Sequence, residues 1–322
     1  MKTVAVIGGE THIGEITQLL GERLEIVGAA VREDQFDWAR EHFGGTITAS
    51  HHELLQQTSP DIVAVANEND LKAQVILDAL ASGADVIADK PLAITMDEQT
   101  AIEAALARDP DRRLLNLLTL RGASEWRGLH DVVRSGKIGE PAHCRVRMAV
   151  RLKRAERPPW FLDVRRSGGL FLDLLIHGID QVEWALGSPI ASMSAVTGNL
   201  GAPDDEHLRD HAAVFCELAS GASAVIEGQR MLPDTKGSDY RMMVAGTEGL
   251  VDLAMGQGVT VTTPEAADVA IDDLPPTQPV VADWLDGGDL VPQEASLRAN
   301  RLSILATIAA QTREPWREAA DG

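Results

Sequence analysis

A chain of 322 residues with 44% hydrophobic and 24% charged residues, 28 Gly and 15 Pro is too apolar to be disordered and long enough for two domains with substantial cores. Lysine plus arginine total 29 against 49 aspartate plus glutamate, a formal charge of -20, and that field repels a polyanion, which argues against nucleic acid as a partner. Only Cys144 and Cys216 occur, each inside an apolar strand-like run, which excludes a disulfide framework and a cysteine metal site and fits a reducing cytoplasm.

The chain opens on one lysine and an apolar run ending at Gly8, too brief for a secretory signal. No stretch approaches the ~20 apolar residues that span a bilayer, so a soluble, unprocessed, cytoplasmic protein is expected. Residues 3–7, 24–31, 61–66, 85–88 and 114–119 read as short apolar strands. Between them, residues 13–23, 35–43, 71–82 and 96–108 carry helix-period apolar positions, the last with the Asp97-Glu98 pair at its start. This alternation predicts a parallel sheet covered on both faces.

After Arg121 the rhythm changes to one helix over 125–135, a turn over 136–141, and long strands over 142–152, 192–198, 211–218, 222–231 and 241–245. Residues 272–289, with Pro275-Pro276 and Gly287-Gly288, read as a surface connection, and a helix over 296–312 closes the chain. The predicted fold class is α/β: an N-terminal Rossmann-type doubly wound parallel sheet (1–121), then an α/β domain with a large open, mostly antiparallel sheet (122–322). The closing helix is a candidate to pack back on the first domain.

The opening strand runs through Gly8-Gly9-Glu10-Thr11-His12-Ile13-Gly14 into a helix, the place where a dinucleotide pyrophosphate meets helix N-terminal amides. The best register for G-x-G-x-x-G is Gly9, Thr11 and Gly14, with a threonine at the second glycine. Glu10 must point outward, since a carboxylate ~4 Å from a phosphate costs about 4 kcal/mol at an effective dielectric of 20. Where an acidic residue would take the ribose hydroxyls stands Val31, and the adjacent Arg32 suits a 2′-phosphate, which favours NADP over NAD. Glu33 or Asp34 reaching back to a ribose is the alternative. Asn67 to Lys72 and Asp89-Lys90-Pro91 follow the next two strands, at the carboxyl edge where open α/β sheets bind ligands.

In Ser167-Gly168-Gly169-Leu170-Phe171-Leu172-Asp173-Leu174-Leu175-Ile176-His177-Gly178-Ile179-Asp180, the polar residues Asp173, His177 and Asp180 sit at i, i+4 and i+7 of an otherwise apolar helix. Either they form an internal hydrogen-bond network, or His177 is a base oriented by Asp173. His207 and His211 have the i, i+4 spacing of a metal pair but lie in an acidic loop before an apolar strand, so no metal is expected. Arg145, Arg147 and Arg151 share one strand face that borders an anionic substrate, a partner subunit or solvent.

These motifs in this order resemble the glucose-fructose oxidoreductase / inositol dehydrogenase (Gfo/Idh/MocA) family over nearly the whole chain. Asn67 to Lys72 stands where the family often has Thr-Pro-Asn-x-x-His, and Asp89-Lys90-Pro91 at its Glu-Lys-Pro. Trp160 precedes the Gly-Gly pair, and Asp173, His177 and Asp180 match Asp-x-x-x-His-x-x-Asp. The resemblance implies a catalytic group of Lys90, Asp173 and His177, and a cofactor lined by Gly9, Thr11, His12, Ile13, Asn67, Asn69, Asp89 and Lys90. The departures are Thr11, one extra loop residue, Val31, Glu68 and Lys72, and they bear on cofactor identity. The expectation is an NAD(P)-dependent, homo-oligomeric enzyme moving hydride between nicotinamide and a secondary alcohol of a sugar or polyol. Two alternatives keep the same fold: transient use of bound nicotinamide during sugar elimination or glycoside cleavage, and a non-catalytic binding or regulatory protein.

Overall fold

Six short apolar strands pair in parallel in the order β3-β2-β1-β4-β5-β6: β1 Lys2–Ile7, β2 Leu24–Ala30, β3 Thr46–Thr48, β4 Ile62–Val65, β5 Asp85–Ala88 and β6 Leu114–Asn116. A computed structural model describes residues 1–9 and 13–318. β4 and β5 are buried along their full length, as strands covered on both faces must be. Helices α1 Gly14–Thr17, α2 Phe36–His42, α3 His51–Thr58, α4 Asn69–Ala81 and α5 Met96–Arg108 link them. Thr95 and Glu98 close a reciprocal capping box on α5.

The first helix is shorter than its periodicity predicts. The Thr17 hydroxyl bonds back to the Gly14 carbonyl at 3.0 Å, and Gly21 at φ 81° turns the chain toward β2. β3 and α3 escape sequence reading because three residues are too few for an alternation. The signal present was Ser50, which caps α3 by accepting from the Glu53 amide at 3.3 Å.

Nine strands form the second sheet in the order β14-β13-β12-β11-β7-β10-β9-β8-β15. They are β7 Pro141–Val150, β8 Ile190–Gly198, β9 His211–Leu218, β10 Ser223–Gln229, β11 Ser238–Gly246, β12 Leu250–Ala254, β13 Gly258–Thr262, β14 Val269–Ala270 and β15 Trp316–Arg317. Only the β7/β10 pair is parallel. Its helices are α6 Ser124–Arg134, α7 Pro159–Leu162, α8 Val164–Ser167 and α9 Ile176–Leu186. Cys144, Val146 and Met148 of β7 are buried on the face that α9 covers, while Arg145 and Arg147 alternate to the other face and pair with Glu227 at 3.3 and 2.8 Å. Both cysteines are free, and burial pushes their thiols up, Cys216 to about 12.

The chain divides into two compact units, 1–118 with 279–301, and 119–278 with the residues from Leu302 onward. The first unit is therefore discontinuous, where the sequence reading kept 122–322 together. Residues 272–289, expected as a surface connection, contain α10 Val280–Leu285 with Val280, Val281 and Trp284 buried. Arg113 stacks on Trp284 at 4.1 Å and donates to its carbonyl at 2.6 Å. The last helix, α11 Gln293–Thr312, gives the first unit Ser296 and Asn300, which bond the Asn116 amide and the Leu92 amide. Such long-range side-chain bonds leave no local periodicity to read. Among the described residues no helix is long and apolar enough to cross a membrane.

Candidate active site

Parallel pairing brings the carboxyl ends of the first sheet's strands together. Gly8 donates to the Ala30 carbonyl at 2.9 Å, Ala66 to that of Ile7 at 2.7 Å, and Asp89 to that of Val65 at 2.8 Å. Gly8 and Gly9 hold φ of 84° and 82°, and a Cβ on Gly8 would lie 2.4 Å from the Ala66 carbonyl oxygen, so only glycine fits there. Gly14, at the start of α1, faces open space. Next to this edge Asn67 Oδ1 is buried without a hydrogen-bond partner among the described residues, as is Asn116 Oδ1 at the end of β6. A buried amide oxygen left unmatched costs free energy unless a ligand donor completes it. Ile13, Asn69, Asp89 and Lys90 belong to the same edge, Lys90 being buried and followed by a cis bond to Pro91. Thr11 and His12, like Glu10, lie outside the described residues.

Lys72, one residue after Leu71 in α4 and fully buried, sets the geometry of this edge. Its ammonium donates to Asn69 Oδ1 at 3.1 Å and to the carbonyls of Asp89 and Lys90 at 2.9 and 3.4 Å. Burial pushes it down to about 8, opposed by Asp89 and reinforced by Lys90. Asn300 fixes the following loop, accepting from the Leu92 amide at 2.8 Å and donating to the Ala93 carbonyl at 3.1 Å. Sequence reading noted Lys72 only as a departure from a family pattern and missed Asn300.

At the tip of β2, Val31 is buried and Arg32 is half-exposed, 3.2 Å from Asp34 and 3.8 Å from Glu68. The local charge that a 2′-phosphate would use is thus held between two carboxylates.

In the second unit the helix that carries Asp173 and His177 is not uniform. Residues Phe171–Leu175 form a π-helical turn, and α9 begins at Ile176. A π turn inserts one residue and re-aims the side chains around it, a distortion that recurs at functional sites. Asp173 forms a salt bridge with Arg230, the residue after β10, and Arg230 is buried. Asp180 diverges from this stripe to a buried fork with Arg121 at 2.7 to 3.1 Å, which ties the start of the unit to α9. His177 lies in the first turn of α9, its Nδ1 buried. Arg230 lay in no motif and was not anticipated. His207 and His211 go to separate carboxylates, Glu206 at 3.2 Å and Asp210 at 2.6 Å. His51, His52 and Asp78 bring metal-type donors within 4.8 Å, with His51 tying α3 to α4 through a 2.8 Å contact to Asp78.

A glycine-turned carboxyl edge on a sheet of order 3-2-1-4-5-6, in a chain with a second, mostly antiparallel sheet, defines a dinucleotide-binding oxidoreductase. Residues 2–115 match the oxidoreductase family with an NAD-binding Rossmann fold, and residues 126–252 match the GFO/IDH/MocA C-terminal domain. The chain belongs to the Gfo/Idh/MocA family. It is 27% identical over 262 residues to myo-inositol 2-dehydrogenase of Thermotoga maritima, covering 77% of this chain and 74% of that one. It is 29% identical over 251 residues to 1,5-anhydro-D-fructose reductase of Ensifer adhaerens, covering 76% and 72%. In fold it matches an oxidoreductase structure from Thermotoga maritima with a TM-score of 0.91, over 98% of this chain and 100% of that one, at 20% identity.

Proposed function

We propose that the protein is an NAD(P)-dependent dehydrogenase or reductase acting on a secondary alcohol of a sugar or polyol. The observation that carries this reading is the π turn presenting Asp173 and His177 in a chain whose nucleotide-type sheet ends one strand in buried Lys90. The orphaned amide oxygen of Asn67 and the open space over Gly14 fit a dinucleotide along the sheet edge. When bound, nicotinamide supplies the hydride acceptor or donor that no side chain provides. His177, with Nδ1 buried, takes the substrate hydroxyl proton at Nε2 and returns it in the reverse direction. Asp173, its charge balanced by Arg230, positions the imidazole. Lys90 Nζ stabilises negative charge on the substrate oxygen.

Lys72 is a positioning residue in this scheme: it grips the Asp89 and Lys90 carbonyls, on both sides of the Lys90 Cα, and thereby orients Lys90. For the cofactor we assign NADP in preference to NAD. Val31 offers the ribose no acceptor, and a 2′-phosphate would draw Arg32 from Asp34 and Glu68. The open face of the second sheet, with Val196 65% and Phe215 48% exposed, fits a second copy of this chain.

Fluorescence titration with NADPH and NADH, followed by turnover assays on sugars and polyols, tests the reading. NADPH binding tighter than NADH, weakened roughly tenfold by Arg32→Ala, is the expected result. Absence of any nucleotide binding overturns it. Substrate conversion without net nucleotide reduction replaces it with transient use of the cofactor.

A further inference from the structure

Two adjacent histidines at the start of α3 converge on one carboxylate of α4. Consecutive residues of a helix point about 100° apart, so neighbouring side chains diverge by default. The rings of His51 and His52 nevertheless meet, with centroids 4.1 Å apart. Nε2 of His51 lies 2.8 Å from Asp78 Oδ2, and Nε2 of His52 lies 3.6 Å from the same oxygen. A hydrogen bond accounts for the first contact. The second is too long for one, although the His52 side chain is 63% exposed and water is available to it in other directions.

Both sides of the cluster are held in place. On α3, Ser50 accepts from the Glu53 amide at 3.3 Å, while Glu53 itself takes the Thr48 hydroxyl at 2.8 Å and the Gln57 amide at 3.0 Å. That carboxylate is therefore engaged away from the imidazoles. On α4, Gln74 donates to Asp78 Oδ1 at 2.9 Å, which leaves Oδ2 to face them. Leu54 of α3 and Ile76 of α4 are fully buried, so the two helices that carry the cluster are anchored on their apolar sides.

Two imidazole nitrogens and a carboxylate oxygen are a donor set that suits zinc, with water completing the tetrahedron. Donors at about 2.0 to 2.2 Å from such an ion stand roughly 3.3 to 3.5 Å from one another. The 2.8 and 3.6 Å separations bracket that spacing, and all three donor atoms lie within 4.8 Å. Among the described residues no other trio of histidine, cysteine or carboxylate groups converges in this way. A net charge of -20 also favours the approach of a cation.

We propose that His51 Nε2, His52 Nε2 and Asp78 Oδ2 form a zinc site that joins α3 to α4. A hard cation such as Mg2+ prefers an oxygen shell and is poorly matched by two imidazoles. Asp78 follows Lys72 by six residues, about 9 Å of helix, so the ion braces the helix that carries Lys72 and is no reactant in the hydride chemistry. The site is independent of the oxidoreductase reading.

The test is calorimetric titration of the untagged full chain, freed of metal with EDTA, with Zn2+ and with Mg2+. One zinc per chain should bind with a dissociation constant on the order of 10 µM or below, looser than a closed four-ligand site, while Mg2+ leaves the titration flat. His52→Ala, exposed and outside the hydrogen bond, should weaken zinc binding roughly tenfold or more, and Asp78→Asn should do the same from the other helix. With Co2+ in place of zinc, the visible absorption of a tetrahedral site should rise to one equivalent in the wild type and be lost in His52→Ala. If Asp78→Asn fails to fold, the His52→Ala titration and the cobalt spectrum still decide the matter. Absence of saturable zinc binding, zinc binding of unchanged affinity in His52→Ala, or equal binding of Mg2+ overturns the proposal.

Discussion

The two units gather polar groups by opposite means. In the parallel sheet the topology does the work: successive strands end at one edge, and a single lysine, Lys72, anchors that edge through backbone carbonyls. In the mixed sheet, side-chain ion pairs join distant segments, Arg121 to Asp180 across 59 residues and Arg230 to Asp173. The edge of the first sheet thus depends on main-chain geometry and the polar cluster of the second unit on charge complementarity, so the two should fail differently when mutated.

The largest effect should come from the groups proposed to handle the proton and the oxygen charge. His177→Ala and Lys90→Met should each lower kcat by about 10² to 10⁴ and leave nucleotide affinity within a few-fold, measured by steady-state assay and fluorescence titration. Normal turnover in either variant removes it from the catalytic group. Next come the buried pairs. Arg121→Met strands the Asp180 carboxylate and should cost about 3 to 5 kcal/mol in urea unfolding. Arg230→Met should cost less, because Arg157, over the same Phe161 ring, can take up the Asp173 charge; an equal or larger loss would deny that sharing.

On the main-chain side, Gly8→Ala should destabilise by about 1 to 3 kcal/mol, since it forces an L side chain to φ 84° and against the Ala66 carbonyl. Gly14→Ala, in open space, should leave the melting temperature nearly unchanged. Lys72 provides the most specific effect. Its folded ammonium loses its proton near 8, an unfolded lysine near 10.5. Between these values the unfolded chain binds more protons, so the contribution of this residue to stability rises with pH. The stability difference between wild type and Lys72→Met should therefore shift in favour of the wild type by about 1 to 2 kcal/mol from pH 7.5 to 9.5, and a flat difference would deny the buried charge.

Much of the first sheet's carboxyl edge was legible because its residues follow strands directly: Gly9, Asn67, Asp89 and Lys90 each sit just past an apolar run of the first sheet. Spacing singled out Asp173 and His177, but the π turn that sets their directions did not show in an apolar helical pattern. β3 was too short to alternate, and α10 was hidden between prolines and glycines that normally mark a loop.

Periodicity and the residues after each strand were enough, without coordinates, to define the α/β class and to single out the strand-end residues, Asp173 and His177 as candidates, because those features depend on neighbours in the chain. Only the tertiary structure decided that Arg230 faces Asp173, that Arg121 claims Asp180, that Lys72 grips the Asp89-Lys90 backbone and that residues 279–301 return to the first unit. Each of those depends on the charge or hydrogen-bonding capacity of a group far away in sequence, and a buried polar atom takes the partner that folding places beside it.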